Sequence, residues 1–127
     1  MSLNILVVDD SSVMRSVIIK TLRLTGLPLG EVFQAGNGRE GLALLDQHWI
    51  DLAMVDINMP MMNGEEMIEE VRKNPAIAAL PVLVVSTESS ETRIAKLQAL
   101  GAKFVHKPFT PEMLRDQVTQ ITGVSHE

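Results

Sequence analysis

The chain has no cysteine. That removes a disulfide framework, a thiolate metal site and a thiol redox switch together, and it fits a reducing compartment, so a cytoplasmic location is expected. Basic clusters are missing too: 11 Lys and Arg residues are spread among 16 Asp and Glu, with no basic run longer than Arg72-Lys73, for a net charge of −5. A surface of that sign suits solubility and speaks against a nucleic-acid-binding stripe. No apolar run approaches the length of a membrane span and the opening residues do not form a secretory signal, so no membrane association is expected. Met1-Ser2-Leu3 reads equally as a native start or an expression scar, and on the second reading the chain is a piece of a longer protein. Linkers, repeats and low-complexity stretches are absent as well. What remains, 127 residues with 46% hydrophobic and 21% charged, is the profile of one globular domain able to bury a substantial core. That domain is expected to fill 1–127, with its core at about 4–122 and a short tail at 123–127.

Strand-like apolar runs at 4–9, 31–35, 51–56, 81–86 and 103–107 alternate with helical periods at about 12–25, 37–47, 64–73, 90–100 and 110–122. Such βα repeats predict an α/β domain with a parallel sheet covered by helices on both faces. The first, third and fourth runs are continuously apolar, as central parallel strands are, whereas Glu31-Val32-Phe33-Gln34-Ala35 alternates and reads as an edge. Ser11 or Ser12 is expected to cap the first helix, with Val13, Met14, Val17, Ile18 and Leu22 as its apolar stripe. The third helix starts after Asn63-Gly64, places Glu65, Glu66, Glu69 and Glu70 early and ends on Arg72 and Lys73, an order that complements the helix dipole. Ile94, Leu97 and Leu100 are expected to face inward from the fourth helix. Thr110-Pro111 opens the fifth, whose Met113, Leu114, Val118 and Ile121 are expected to face the sheet.

The chemistry concentrates where strands end. Asp9 and Asp10 follow Ile5-Leu6-Val7-Val8, Asp56 follows Leu52-Ala53-Met54-Val55, Ser86 follows Val82-Leu83-Val84-Val85, and Lys107 follows Phe104-Val105-His106. In an open α/β sheet those carboxyl ends share one edge, and ligands bind there. Carboxylates held together repel one another, more so when buried. A hard divalent cation removes that penalty; Mg²⁺ takes one or two carboxylates and keeps waters and a phosphate oxygen. A further carboxylate is then free to react with phosphorus as a nucleophile. The Lys107 ammonium and the Ser86 hydroxyl complete a partner set for the phosphoryl oxygens, and positioning with charge neutralisation is most of what such a transfer needs.

Asp9-Asp10, Asp56 with Met59-Pro60 and Gly64, Ser86, and Lys107-Pro108-Phe109 resemble the signature of bacterial response-regulator receiver domains, in order and over essentially the whole chain. The stretch Gly101-Ala102-Lys103-Phe104-Val105-His106-Lys107-Pro108-Phe109-Thr110 is most similar to the single-domain chemotaxis regulators. The resemblance, and not the hydrophobic pattern, implies the flavodoxin-like, doubly wound (βα)5 fold with strand order 2-1-3-4-5. It further implies a phosphorelay switch with Asp56 as phosphoacceptor, and Mg²⁺ or Mn²⁺ held by Asp9, Asp10, Asp56 and the backbone carbonyl of Asn58. Ser86 and Lys107 would act on the phosphoryl group, and Phe104 would be the aromatic switch, moved by packing alone because it lacks a phenol. Asn58 and Glu88 match the variable pair that tunes phosphoryl lifetime, and their polarity suggests a short one. A histidine kinase or histidine phosphotransfer domain would be the donor. A downstream protein would bind the fourth helix–fifth strand–fifth helix face, where Arg93, Lys96, Lys103 and Phe104 are candidate exposed members. On this reading the chain is no enzyme beyond catalysing its own phosphorylation and dephosphorylation.

Plainer readings stand beside these. Asp10 before Ser11-Ser12 could be only a helix cap, Ser86 only a cap for the next helix, Lys107 only a solvated charge, and Phe104 only core. Met59, Met61 and Met62 are expected to fill gaps under their loop, Trp49 to be a partly buried packing residue, the third helix's glutamates to be a solvated face, and His48, His106 and His126 to be ordinary. A haloacid-dehalogenase-like phosphohydrolase is an alternative function, but it would carry Asp-x-Asp after the first strand and a cap insertion, and this chain has Asp9-Asp10-Ser11 and no insertion of that length. A flavodoxin-like cofactor binder would need a phosphate loop where the two acids stand. An unphosphorylated scaffold is disfavoured because no site residue is missing, and a receiver domain excised from a larger regulator remains open.

Overall fold

The computed structural model describes residues 2–124; His126 and the end of the tail lie outside the described residues. The order is β1 (Leu3–Val8), α1 (Ser12–Leu24), β2 (Leu29–Ala35), α2 (Gly38–Gln47), β3 (Leu52–Val55), α3 (Gly64–Lys73), β4 (Val82–Ser86), α4 (Glu91–Ala99), β5 (Lys103–His106) and α5 (Pro111–Thr122). All strand pairs are parallel, in the order β2-β1-β3-β4-β5. The fold class and strand order implied by the resemblance are therefore the observed ones, and β2 is the edge strand its alternation predicted.

Strand periodicity divides the core in two. Leu6, Val8, Ala53, Val55, Val82 and Val84 point to one face and meet Leu45, Met67, Ile68, Val71 and Leu97 of α2, α3 and α4. Ile5, Val7, Leu52, Met54, Leu83 and Val85 point to the other and meet Ile18, Leu22, Leu114 and Val118 of α1 and α5. Both sides of β1, β3 and β4 are buried, which is why those runs are continuously apolar. Each such side chain contributes roughly 1.5–3 kcal/mol relative to exposure.

The helices start where their polar residues cap them. Ser11, Asn37, Ser90 and Thr110 accept the backbone N–H of Met14, Glu40, Arg93 and Met113. At α3 the cap is reciprocal: Asn63 accepts from Glu66 N at 2.9 Å, and the Glu66 carboxylate accepts from Asn63 N at 3.1 Å, an arrangement that satisfies orphan donors at both positions.

Several expected core residues lie elsewhere. On α1 Met14, Ile18 and Leu22, spaced by four, lie along the sheet and α5 with Ile19 beside them; Val13 is 73% exposed and Val17 45%. Both stand one helical step away from that row, on the side α1 turns from the sheet. Met113 is exposed for the same reason, one residue before inward-facing Leu114. Trp49 is not a packing residue: its ring is exposed, and its Nε1 donates to Asp51 Oδ1 at 2.9 Å. Met59 is buried and Met62 packs against the core, but Met61, at φ 66°, is turned into solvent. Of the α3 glutamates, Glu65 is paired with Lys96 at 2.6 Å and Glu66 serves the cap. His48 stacks on Phe33 at 4.3 Å between centroids, and His106 lies against Phe104 at 4.6 Å.

Candidate functional site

Backbone pairing brings the strand ends level. Asp56 N donates to Val8 O, Asp9 N to Ala35 O, and Lys107 N to Ser86 O at 2.9 Å. The last residues of β1, β3, β4 and β5 thus hand Asp9, Asp56, Ser86 and Lys107 to one edge. Gly64 lets the loop after β3 fold tightly over that edge. Its N–H donates to Ile57 O, and a Cβ at Gly64 would fall on the carbonyl oxygen of Asp56.

Three carboxylates meet there. Asp9 is buried, Asp56 is half-buried and Asp10 is exposed, and one oxygen from each lies within 4.8 Å of the others. Asp9 is fully engaged: Oδ1 accepts from Ser11 N at 2.9 Å, and Oδ2 lies 3.2 Å from Lys107 Nζ. Asp56 Oδ1 accepts from its neighbour Ile57 N at 2.8 Å and lies 3.9 Å from the same ammonium. Asp56 Oδ2 has no hydrogen bond among the described residues. The Asn58 carbonyl likewise accepts none among them, and Asn58 is exposed between buried Ile57 and Met59.

Ser86 is buried at the end of β4, where its Oγ accepts from Glu88 N at 3.1 Å. Phe104 lies half-buried on β5, opposite Val84 in the ladder and packed on the α2–α4 side of the core. The Glu88 carboxylate lies 3.1 Å from Arg93. One residue that sequence reasoning passed over belongs beside these: Arg15 donates to Asp9 O at 2.6 Å and to Gln34 at 3.0 Å, holding the β1 end against β2. Its signal was a cation early in a helix whose first turn has no acidic residue, against the dipole preference.

Burial pushes the Asp56 carboxyl above its ordinary value of 3.8; the Lys107 charge pulls it down, Asp9 pushes it up, the Ile57 amide pulls it down and Asp10 pushes it up. Since the folded value is raised, Asp56 supports the fold below its unfolded value, and that support is lost as pH rises through the folded value. Asp56→Asn is therefore expected to be more stable than wild type at neutral pH without divalent metal, by about 1 kcal/mol, the usual scale of single substitutions. The gap should close as pH falls into the carboxylate range, and also when Mg²⁺ is added to wild type. Urea melts across pH check this; a variant less stable at neutral pH would overturn it.

One ammonium against three carboxylates leaves the cluster negative. The set of clustered carboxylate oxygens, with no sulfur or imidazole, fits a hard divalent cation. The cluster could hold a metal ion.

Comparison with known proteins agrees with this arrangement. Residues 5–119 match the family described as Response regulator receiver domain. The chain is 36% identical over 123 residues to a chemotaxis protein CheY homolog of Campylobacter jejuni, covering 95% of this chain and 93% of that one. It is 33% identical over 125 residues to chemotaxis protein CheY1 of Helicobacter pylori, covering 97% and 99%. Among solved structures, Vibrio cholerae chemotaxis protein CheY4 superposes with a TM-score of 0.84 at 34% identity, covering 95% of this chain and 99% of that one. A response regulator from Chloroflexus aurantiacus gives 0.87 at 26%, covering 97% and 99%. The dehalogenase-like and flavodoxin-like alternatives fall away on this match: the chain belongs to the response regulator receiver domain family, in its chemotaxis-type branch of phosphorylation-activated signalling modules.

Proposed function

We propose that the chain accepts a phosphoryl group on Asp56 from a histidine kinase or histidine phosphotransfer domain and signals by changing a protein-binding surface. The observation that carries this is the state of the Asp56 carboxylate: one oxygen is anchored by Ile57 N and faces Lys107, and the other is without a hydrogen bond at the open edge of the sheet. Asp9 is buried with both oxygens engaged and suits a supporting role.

In the transfer, Asp56 Oδ2 bonds to phosphorus as the bond from phosphorus to the donor imidazole nitrogen breaks, and the imidazole leaves with the electron pair. Asp9, Asp10, Asp56 and the Asn58 carbonyl would hold Mg²⁺ (or Mn²⁺), which when bound neutralises charge on the phosphoryl oxygens. The Lys107 ammonium, already in reach of Asp9 and Asp56, supplies the chain's own positive charge. The donor approaches over Val17, Pro108 and Phe109, an apolar rim beside Lys107 in which Val17 and Pro108 are open to solvent. Ser86 Oγ, released from Glu88 N, then turns toward the phosphoryl group, and Phe104 repacks with it. That repacking biases the α4–β5–α5 face toward its downstream target. Such a module is a switch that turns over only its own phosphoryl group. No described helix is long and apolar enough to cross a membrane, and a cytoplasmic setting suits the proposed kinase partner.

The test is intact mass after incubation with acetyl phosphate, with and without Mg²⁺. One added phosphoryl group that requires the metal supports the reading. No adduct with the metal bound would sink it in favour of a scaffold role.

A further inference from the structure

The Glu88 carboxylate is held from three sides. Its Oε2 accepts from Ser89 N at 3.1 Å and Ser90 N at 3.2 Å, and its Oε1 lies 3.1 Å from Nη1 of Arg93, in the first turn of α4. The Ser90 amide, the Ser89 amide and Arg93 all favour the charged form. Glu88 thus starts only two residues from Ser86, and its backbone N–H even holds the Ser86 hydroxyl at 3.1 Å, while its carboxylate is held at the start of α4 by Ser89 N, Ser90 N and Arg93.

We infer that Arg93 is a positioning residue that sets the lifetime of the phosphoryl group by keeping the Glu88 carboxylate away from it. The inference rests on Asp56 being the phosphoacceptor, as proposed above. A carboxylate beside an acyl phosphate can accept the proton of an attacking water, and a base so placed contributes strongly to rate. In that step the water oxygen bonds to phosphorus while the bond from phosphorus to the Asp56 oxygen breaks. The water proton passes to Glu88, and inorganic phosphate leaves a free Asp56 carboxylate. The side-chain anchor is the weakest of the three holds on Glu88 to keep, because Arg93 is a third exposed and its pair is open to salt. The two amide bonds come from the backbone; the guanidinium is the one hold that a side chain supplies. The same pair also occupies one cation of the α4–β5–α5 face, so lifetime and output surface share a residue.

The experiment follows loss of the adduct by intact mass after removal of acetyl phosphate, in wild type, Arg93→Ala, Glu88→Gln and the double variant. Arg93→Ala is expected to take up the phosphoryl group and lose it about threefold to tenfold faster than wild type, a fraction of what a placed base can supply. In the Glu88→Gln background the same change is expected to alter the decay by less than about twofold, since the residue acts through Glu88. Arg93→Lys should restore most of the wild-type lifetime. Equal acceleration in both backgrounds, or unchanged decay in Arg93→Ala, overturns the inference and leaves the acceptor assignment standing. A wild type that never forms the adduct overturns the acceptor assignment itself, and this inference with it.

Discussion

Asp56→Asn is expected to take up no phosphoryl group under conditions in which wild type gains one. The drop in rate should be at least about a thousandfold, the scale on which removing a nucleophile acts. The amide keeps the size of the side chain and can still sit beside Lys107 and the Ile57 amide, but it offers no anionic oxygen to attack phosphorus. The fold should survive; without divalent metal it should even be firmer, since burial and the neighbouring acids already disfavour the ionised carboxyl. The same substitution thus strengthens the domain and removes its chemistry. That opposition distinguishes a functional carboxylate from a helix cap, whose loss weakens the fold. Intact mass reads the first half and urea denaturation the second. An adduct that persisted in Asp56→Asn would move the acceptor to Asp9 or Asp10, the other carboxylates of the cluster.

Lys107→Met should carry the largest stability cost of any single change at the site. Its ammonium is the cation paired with Asp9, which is only 2% exposed, and it also reaches Asp56. Methionine keeps most of the stem and removes the charge, so Asp9 is left buried without its counter-ion. Breaking a buried pair from one side costs 3–5 kcal/mol in general, and the exposed Asp10 edge of this cluster suggests the lower end, about 3 kcal/mol. For a chain of this length that is a fall in midpoint temperature of about 10 °C. A divalent cation bound by the three carboxylates supplies the missing charge, so Mg²⁺ should recover most of the loss in the variant and stabilise wild type less. Thermal melts at neutral pH, with and without the metal, decide it. A variant as stable as wild type in the absence of divalent ions would mean that desolvation of the pair cancels its attraction.

Much of the domain was legible from local pattern. Continuous apolar runs marked β1, β3 and β4 because both faces of those strands are covered, and alternation marked β2 because an edge strand is not. Caps such as Ser11 and Thr110 were readable because their partners lie three residues away along the chain. Side-chain direction was less legible. Val13 and Val17 are as apolar as Ile18, and only the packing of α1 against the sheet and α5 decides which of them is inside. Trp49 and Met61 went outward for a similar reason: an apolar residue in a connection has no helical or strand period to aim it. Arg72 reads in sequence as a cation at a helix C-terminus, yet it also donates to Leu100 O, Ala78 O and Leu80 O, tying α3 to two later segments. Partners that far along the chain leave no trace in local spacing.

The sequence by itself determined the βα alternation, the helix starts and the kinds of residue at the strand ends, because each depends on neighbours within a few positions. Tertiary structure alone decided which polar groups would meet. Lys107 and Asp9 are 98 residues apart along the chain and 3.2 Å apart in the fold, and Glu88 pairs with Arg93. Parallel pairing of strands distant in sequence creates that edge. The electrostatics of the edge follow from distances and burial, which no local pattern encodes.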